Sequence, residues 1–231
     1  MTEKKHAVIG AYQLVRTNRR TLSITLDRDG GVTAHAPLKM PLWQIERFLM
    51  DKSGWISRKQ ELLRSRANRM ARYELAEGGR LPYLGGELVI RFSERKTARA
   101  ENGTLYLPRT ESPKAEALKW LRAQAKQVLP LYVEKWARVM GLRPARISFG
   151  YAEKRWGSMS SKGGLRLNVA LMHLSPVQID YIVVHELTHM RHMNHSPAFH
   201  AAVEATLPGA ARLRKEIKAL GGYLELLREK E

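Results

Sequence analysis

The alternation of apolar and polar positions divides the chain into a strand-rich first part and a mainly helical second part. Residues 21–26 alternate and are rich in β-branched side chains, as in a half-buried strand, and residues 32–36 return as a hairpin partner after Gly30-Gly31. Asn102-Gly103 predicts a second hairpin, because both residues tolerate the positive φ angles of a two-residue turn. No internal repeat is evident from these patterns.

A helical insert separates the two hairpins. Apolar residues recur at helical spacing between about 41 and 70, with an interruption at Ser53-Gly54. Trp43 and Trp55 lie in this insert. Large aromatic side chains in an apolar helical stripe are more often core residues than platforms for stacking bases, so both indoles are predicted to be buried.

Helices dominate beyond residue 110. Ser112-Pro113 is typical of a helix start and Gly141 of a helix end, and Pro130 predicts a kink in this helix or a junction of two helices. The predicted fold class is α+β. A mostly β region is expected at 1–110, followed by a helical domain with a small sheet at 111–231.

A strand followed by a buried helix is predicted in the middle of the second domain. Residues 165–171 alternate between apolar and polar positions. Ser175-Pro176 together with Gln178 then forms a typical capped helix start. The helix that follows has one apolar face, formed by Ile179, Ile182, Val183 and Leu187.

This helix carries the sequence His185-Glu186-Leu187-Thr188-His189. Residues four apart lie on one face of a helix, so both imidazoles can reach one metal ion, and Glu186 stands where it can deprotonate a metal-bound water. Two solvated or core histidines would give the same pattern. The clustering of six of the eight histidines between His173 and His200 favours the metal site.

The third ligand is predicted to be His195 rather than His192. At 1.5 Å rise per residue, His192 on a continuing helix would lie some 7.5 Å beyond the expected metal position. His195 can reach the metal if the helix ends and the chain turns back, for which Asn194 offers a left-handed conformation and Pro197 a helix stop. Three neutral imidazoles leave a fourth position open for water, as in catalytic zinc sites, so one Zn²⁺ per chain is expected.

The stretches around this motif resemble the YgjP-like metallopeptidase-domain family, which is related to SprT-like and other small gluzincin-type zinc proteases. The matching stretches are Arg19-Arg20-Thr21-Leu22-Ser23-Ile24, Arg155-Trp156-Gly157-Ser158-Met159-Ser160-Ser161-Lys162-Gly163, Leu165-Arg166-Leu167-Asn168, His185-Glu186-Leu187-Thr188-His189 and Asn194-His195-Ser196-Pro197-Ala198-Phe199. The resemblance implies a zincin-like domain and a peptide or protein substrate. It also implies that the strand carrying Leu165 and Leu167 is an edge strand along the cleft.

Other substrate contacts are less constrained by the sequence. Arg155, Tyr181 and His200 are candidate donors to the developing oxyanion, and Trp156 is a candidate substrate contact. The resemblance also admits two alternative functions, a UTP pyrophosphatase and a nucleic-acid-associated SprT-like protease. Against nucleotide hydrolysis, the chain lacks a G-x-x-x-x-G-K-[ST] loop and clustered carboxylates for magnesium.

The formal net charge is +18, from 40 Lys and Arg against 22 Asp and Glu. A positive field favours nucleic acid, nucleotides or acidic proteins, although it can also serve solubility alone. The densest basic patch runs along the helical insert and comprises Arg58, Lys59, Arg64, Arg66, Arg69 and Arg72, opposed by Glu61. It is expected first to be a solvated helix face and second to contact a polyanion.

Compartment and membrane association follow from simple absences. The chain has no cysteine, so disulfides and thiolate ligands are excluded. No apolar run approaches the ~20 residues that a membrane helix needs, and residues 1–16 lack a signal-type apolar core. The expected location is therefore cytoplasmic, without membrane association.

Overall fold

The computed structural model describes residues 2–27 and 29–227, and the chain divides into two compact units, Met1–Arg69 and Met70–Glu231. The predicted α+β class is confirmed. The predicted domain boundary at 110/111 lies inside the second unit, between a strand and a helix of that unit. No helix in the described part of the chain is long and apolar enough to cross a bilayer.

The first unit is a four-stranded sheet followed by two helices. Its elements are β1 (Thr2–His6), β2 (Gly10–Thr17), β3 (Ser23–Leu26), β4 (Val32–Pro37), α1 (Leu42–Asp51) and α2 (Ser53–Ala71), of which α2 runs past the end of the unit. The strand order is β1-β2-β4-β3, with a parallel central pair flanked by antiparallel neighbours. The predicted hairpin of residues 21–26 and 32–36 is the β3–β4 pair.

The core of the first unit is small. Alternate residues of β4, Val32, Ala34 and Ala36, are buried on one face, as strand geometry requires. Eight buried residues make up this core: Tyr12, Leu14, Val32, Ala34, Ala36, Ile45, Leu49 and Ile56.

The prediction that Trp43 and Trp55 are core residues is wrong. Their side chains are 61% and 44% exposed. Among the described side chains, the two helices bury only Ile45, Leu49 and Ile56. Because α1 ends at Asp51 and α2 begins at Ser53, the apolar stripe does not continue on one face. The two indoles therefore lie outside the core.

The second unit begins with another four-stranded sheet and continues through helices and a small sheet. Its elements are β5 (Arg80–Tyr83), β6 (Gly86–Ser93), β7 (Arg99–Glu101), β8 (Thr104–Pro108), α3 (Pro113–Met140), β9 (Arg146–Gly150), β10 (Gly157–Met159), β11 (Gly164–Asn168), a 3₁₀ helix (Val169–His173), α4 (Pro176–Thr188), α5 (Pro197–Thr206), α6 (Ala210–Ala219) and a second 3₁₀ helix (Gly221–Glu225). The helix α3 is a single element that includes Pro130.

The first sheet of this unit repeats the topology of the sheet in the first unit. Its order is β5-β6-β8-β7, again with a parallel central pair between two antiparallel neighbours. In both units the central parallel pair ends at a proline, Pro37 opposite Thr17 and Pro108 opposite Ser93. A helix follows each proline. The chain therefore contains a structural repeat that the sequence patterns did not reveal.

The small sheet has the order β10-β11-β9, so β11 is its middle strand. The prediction that Leu165 and Leu167 belong to an edge strand on the cleft is therefore wrong. Both side chains are buried in the core of the second unit, and both backbone edges of β11 are paired. The edge strands are β10 and β9, and β10 lies against α4.

Candidate metal centre

Helix α4 is fixed at its start and along its length. The side chain of Gln178 accepts a hydrogen bond from the backbone N–H of Ser175 at 3.1 Å, which completes the predicted capping box. Ile179, Val183 and Leu187 are fully buried, as the predicted apolar face requires. The helix ends at Thr188, so His185 and Glu186 lie in its last turn and His189 directly follows it.

The chain reverses direction between His189 and α5. The N–H of His189 bonds to the carbonyl of Glu186 in the closing turn, and Ser196 caps α5 by accepting from the N–H of Phe199. The predicted reversal is present, but Asn194 does not adopt the left-handed conformation expected of it. The reversal places His195 beside the last turn of α4.

The three predicted ligands lie together. Nitrogen atoms of His185, His189 and His195 all lie within 4.8 Å of one another, and the two Nε2 atoms of His185 and His195 are 3.0 Å apart. His192 does not join this group. Its backbone carbonyl lies 3.0 Å from Nδ1 of His189, which leaves Nε2 of His189 available to the cluster.

Phe199 packs against all three histidines of the cluster. Its ring is fully buried, and its centroid lies 4.9, 4.6 and 4.8 Å from those of His185, His189 and His195. One aromatic ring on α5 thus restricts the rotation of all three imidazoles. Such packing is what a preorganised ligand set requires, since rings that turn freely lose affinity for a shared ion.

The donor set fits zinc. Two nitrogen ligands at tetrahedral positions around one zinc ion are ~3.3 Å apart, given Zn–N bonds of ~2.0–2.1 Å. The separation of 3.0 Å between Nε2 of His185 and Nε2 of His195 is close to that value. Burial and the neighbouring rings of His189 and His195 lower the pKa of His185 to about 3, so its ring is neutral and able to ligate at neutral pH.

Glu186 is buried beside this cluster, with 6% of its surface exposed. Burial raises the pKa of its carboxyl to about 7, against the opposing effects of the backbone amide of Met159 and the charge of Arg155. Its side chain lies against the backbone of Gly157 on β10, where an added Cβ would come 2.8 Å from Cγ of Glu186. Only glycine fits at position 157 without displacing the carboxylate.

An open cleft of about 580 Å³ surrounds the cluster. Its lining includes His185, Glu186, His189 and His195, strand β10, three of the predicted substrate residues, Arg155, Trp156 and Tyr181, and two basic residues of α6, Arg214 and Lys218. His200 does not line it but stacks on His195, with ring centroids 6.2 Å apart, and its Nε2 lies 3.4 Å from Nη1 of Arg214.

Sequence reasoning missed several residues that shape this cleft. Gly157 and Asn168 belong to the stretches that mark the family resemblance, but nothing in the local pattern shows what they contact. Asn168 is buried, and its side-chain amide donates to the carbonyls of Ala152 and Arg155 at 2.5 and 2.8 Å. It thereby holds the loop that leads into β10. Arg214 lies far along the chain in a charged amphipathic helix, where no sequence signal separates it from solvated neighbours.

The cleft is positively charged. Arg155, Arg214 and Lys218 line it, whereas Glu186 is its only lining carboxylate among the described residues. Arg214 and Lys218 are exposed, and no ion pair within the described residues neutralises them. The field of this cleft therefore attracts negatively charged groups.

Three comparisons with known proteins bear on the identity of the chain. The model of the family described as "YgjP-like, metallopeptidase domain" matches residues 20–220. A solved structure, the metallopeptidase zymogen abylysin of Pyrococcus abyssi, is similar at 24% identity and a TM-score of 0.36, over 39% of this chain and 91% of that one. No curated protein matches. With the family model spanning both compact units, the chain belongs to the YgjP-like metallopeptidase-domain family.

Proposed function

We propose that this protein is a zinc-dependent hydrolase of the peptidase type. The observation that carries the proposal is the arrangement of three imidazole nitrogens within 4.8 Å beside the buried carboxyl of Glu186. His185, His189 and His195 would hold the ion. When bound, zinc supplies Lewis-acid chemistry, polarising the substrate carbonyl and making the attacking water more acidic.

Glu186 is the general base of the proposed reaction. It takes a proton from the attacking water and returns it to the leaving amine, a role that suits a carboxyl whose pKa burial has raised towards neutrality. Gly157 leaves room for this carboxylate, because the Glu186 side chain occupies the space that a side chain at position 157 would need.

The substrate would add to strand β10 as an extended peptide. β10 is one of the two edge strands of the small sheet, and all three of its residues, Gly157–Met159, line the cleft. Its inner edge is paired with β11, so an incoming strand would bind on the side that faces the cleft. Trp156, Tyr181 and Met193 provide apolar surface for side chains on either side of the scissile bond.

Metal content tests the ligand set. The purified protein is expected to hold one zinc per chain, to lose it in His195→Ala and to keep it in His192→Ala, because His192 contributes its carbonyl to His189 rather than a ring to the cluster. Elemental analysis of the three proteins after dialysis gives the result. Zinc loss in both variants, or in neither, would contradict the ligand set.

Activity then tests the role of Glu186. A fluorogenic peptide library should be cleaved by the zinc-loaded protein, and Glu186→Gln should lower kcat by ~10²-fold or more while leaving the zinc content unchanged. Equal cleavage by both proteins would rule out Glu186 as the base.

A glycine substitution isolates the position of the carboxylate. Gly157→Ala should lower kcat by ~10-fold or more without loss of zinc, since the three heavy atoms nearest the added methyl all belong to Glu186. Gly54→Ala is the matched control, because its added Cβ meets no heavy atom closer than 3.5 Å and it lies outside the cleft. An unchanged kcat in Gly157→Ala would show that Glu186 does not depend on this contact.

One observation favours a second candidate, hydrolysis of a nucleoside triphosphate. The three cations of the cleft, Arg155, Arg214 and Lys218, suit a polyphosphate. Against it, Glu186 is the sole carboxylate that the described residues contribute to the lining for binding magnesium. Assays of phosphate or pyrophosphate release from UTP, with wild type and Glu186→Gln in parallel, separate the two candidates.

A further inference from the structure

The first unit has a groove whose lining residues are distant in sequence from the histidine cluster. Residues 22–24, at the start of edge strand β3, form one side, and the junction of α1 and α2 forms the other. Its volume is about 590 Å³, comparable to that of the catalytic cleft. The helical side presents Phe48, Asp51, Lys52, Gly54, Trp55 and Arg58. We refer to this as the β3 groove.

The aromatic side chains of the β3 groove have no evident structural task. Phe48 and Trp55 belong neither to the buried core of the first unit nor to the partly buried residues packed around it. Trp55 is 44% exposed. Large exposed aromatic surface is unfavourable in water unless a partner covers it, so its presence in a concave site indicates a ligand with flat apolar faces.

Cations accompany these rings at helical spacing. Nζ of Lys52 lies 5.9 Å from the centroid of Phe48, one turn earlier, and Arg58 follows Trp55 by three residues. The guanidinium of Arg58 lies back over Gly54, where an added Cβ would be 3.5 Å from Nη1. Within the described residues no carboxylate forms an ion pair with Lys52 or Arg58, and Asp51 is the single acid of the lining.

The whole first unit is more positive than the second for its size. Residues 1–69 contain 14 Lys and Arg against six Asp and Glu, and residues 70–231 contain 26 against 16. Part of the basic patch predicted from the sequence lies on α2 beside the groove, where Arg58 and Arg64 are exposed. The side chains of Arg66 and Arg69, also in that patch, lie outside the described residues.

We propose that the β3 groove binds single-stranded nucleic acid, with bases stacking on Trp55 and Phe48 and phosphates held by Lys52 and Arg58. Alternating aromatic faces and cations along an open groove are the surface that unstacked bases and a backbone require. Duplex is disfavoured, because its bases are paired and stacked inside the helix and cannot reach an indole face. An acidic peptide could use the cations and the β3 edge but would gain little from two aromatic faces.

Two substitutions at one position test the stacking. The full chain is titrated with a fluorescein-labelled oligothymidylate of about 12 nucleotides, a length within the range of single-strand sites. Trp55→Leu keeps apolar bulk but removes the stacking face, and should weaken binding at least about fivefold, equivalent to ~1 kcal/mol. Trp55→Phe keeps a face and should retain most of the affinity.

Trp43 supplies the matched control. Trp43 is also exposed, but it lies in α1 and outside the groove lining. Trp43→Leu should leave the affinity for the oligonucleotide within about twofold, as expected for a residue that stacks no base. Lys52→Gln and Arg58→Gln should each reduce the slope of log K against log salt by ~1, since each removes one phosphate contact. Glu186→Gln should have no effect, so binding here and hydrolysis at the metal centre succeed or fail separately.

Several results would overturn the proposal. One is no binding of the oligonucleotide at ~50 mM salt, where phosphate contacts are strongest. Equal weakening by Trp55→Leu and Trp43→Leu, or by Trp55→Leu and Trp55→Phe, would remove the stacking role. Tighter binding of duplex of the same length would exclude a single-strand site. Binding of a poly-glutamate peptide that depends on Trp55, without binding of the oligonucleotide, would assign the groove to acidic proteins.

Discussion

The two four-stranded sheets of this protein share a topology but differ in what covers them. In the second unit the sheet is followed by α3, a helix of 28 residues that buries seven side chains, including Trp120, Leu121 and Leu129. In the first unit the sheet is followed by α1, a helix of 10 residues that buries two, Ile45 and Leu49. The same strand arrangement thus supports a large core in one unit and leaves aromatic side chains exposed in the other.

The difference shows that burial of an aromatic residue depends on the partner surface and not on the strand topology or helical spacing. Trp120 packs against Tyr83 of β5, with ring centroids 5.0 Å apart, because α3 extends across its own sheet and α4 packs on α3. Trp43 and Trp55 in the first unit are not covered in this way and are 61% and 44% exposed. The second unit thus buries Trp120 in its core, whereas the first unit leaves Trp43 and Trp55 exposed.

The largest expected effect compares one tryptophan from each unit. Trp120→Ala should lower the free energy of unfolding by ~3–5 kcal/mol, since it removes a buried ring from a packed core. Trp43→Ala should change it by less than ~0.5 kcal/mol, as expected for an exposed side chain without a packing role. Urea denaturation followed by circular dichroism measures both. Similar losses would contradict the contrast between the units.

A buried histidine makes the second unit sensitive to acid. His173 packs beside Tyr223, and its Nδ1 lies 2.7 Å from the carbonyl of Pro82 on β5. Burial lowers the pKa of His173 to about 4 from an ordinary value of 6.5. The folded state therefore binds fewer protons than the unfolded state between these values, so stability is full above pH 6.5 and falls as the pH drops towards 4.

Protonation of His173 lowers the free energy of unfolding by about 3 kcal/mol once the pH is below the lowered pKa, because each unit of pKa shift corresponds to 1.36 kcal/mol. Thermal unfolding at a series of pH values should show a smaller loss between pH 6.5 and 4 in His173→Gln than in the wild type. His35 of β4, which is only half-buried and bonds to Thr25, is the matched control in the first sheet. His35→Gln separates the effect of the His-to-Gln change itself from the effect of removing a buried ring. If His173→Gln lost as much stability between pH 6.5 and 4 as the wild type, the buried histidine would not be the cause of the acid sensitivity.

The smallest expected effect concerns two turns, the one between β3 and β4 in the first unit and the one between β7 and β8 in the second. Gly30 in the first unit and Gly103 in the second have φ angles of 87° and 75°, which residues with a Cβ adopt at a cost. Changing either to Ala should lower stability by ~1–2 kcal/mol, the cost of the left-handed conformation. Gly86→Ala, at a strand position without positive φ, should cost less. Unequal effects at Gly30 and Gly103 would show that the two turns are not equivalent.

Much of the local structure was predictable because its causes are local. The capped start of α4 at Ser175, the start and end of α3 at Ser112 and Gly141, and the turn at Asn102-Gly103 are all present as the sequence indicates. Two of the three grouped histidines were accessible for the same reason, since the helical spacing of His185 and His189 sets their relative position. His195 needed one further inference, that the helix ends and the chain reverses.

The sequence by itself determined the starts of α3 and α4, the hairpin turns, the α+β class and which imidazoles can meet, because turn chemistry, capping and helical periodicity act over a few residues. Only the tertiary structure decided that β10 and not β11 is the edge strand, that Gly157 makes room for Glu186, and that Arg214 lines the cleft. It also decided that Trp55 is exposed while Trp120 is buried. These outcomes depend on contacts between residues far apart in the chain. The pairing of a strand and the burial of an aromatic ring are set by the surface that packs against them rather than by the local sequence pattern.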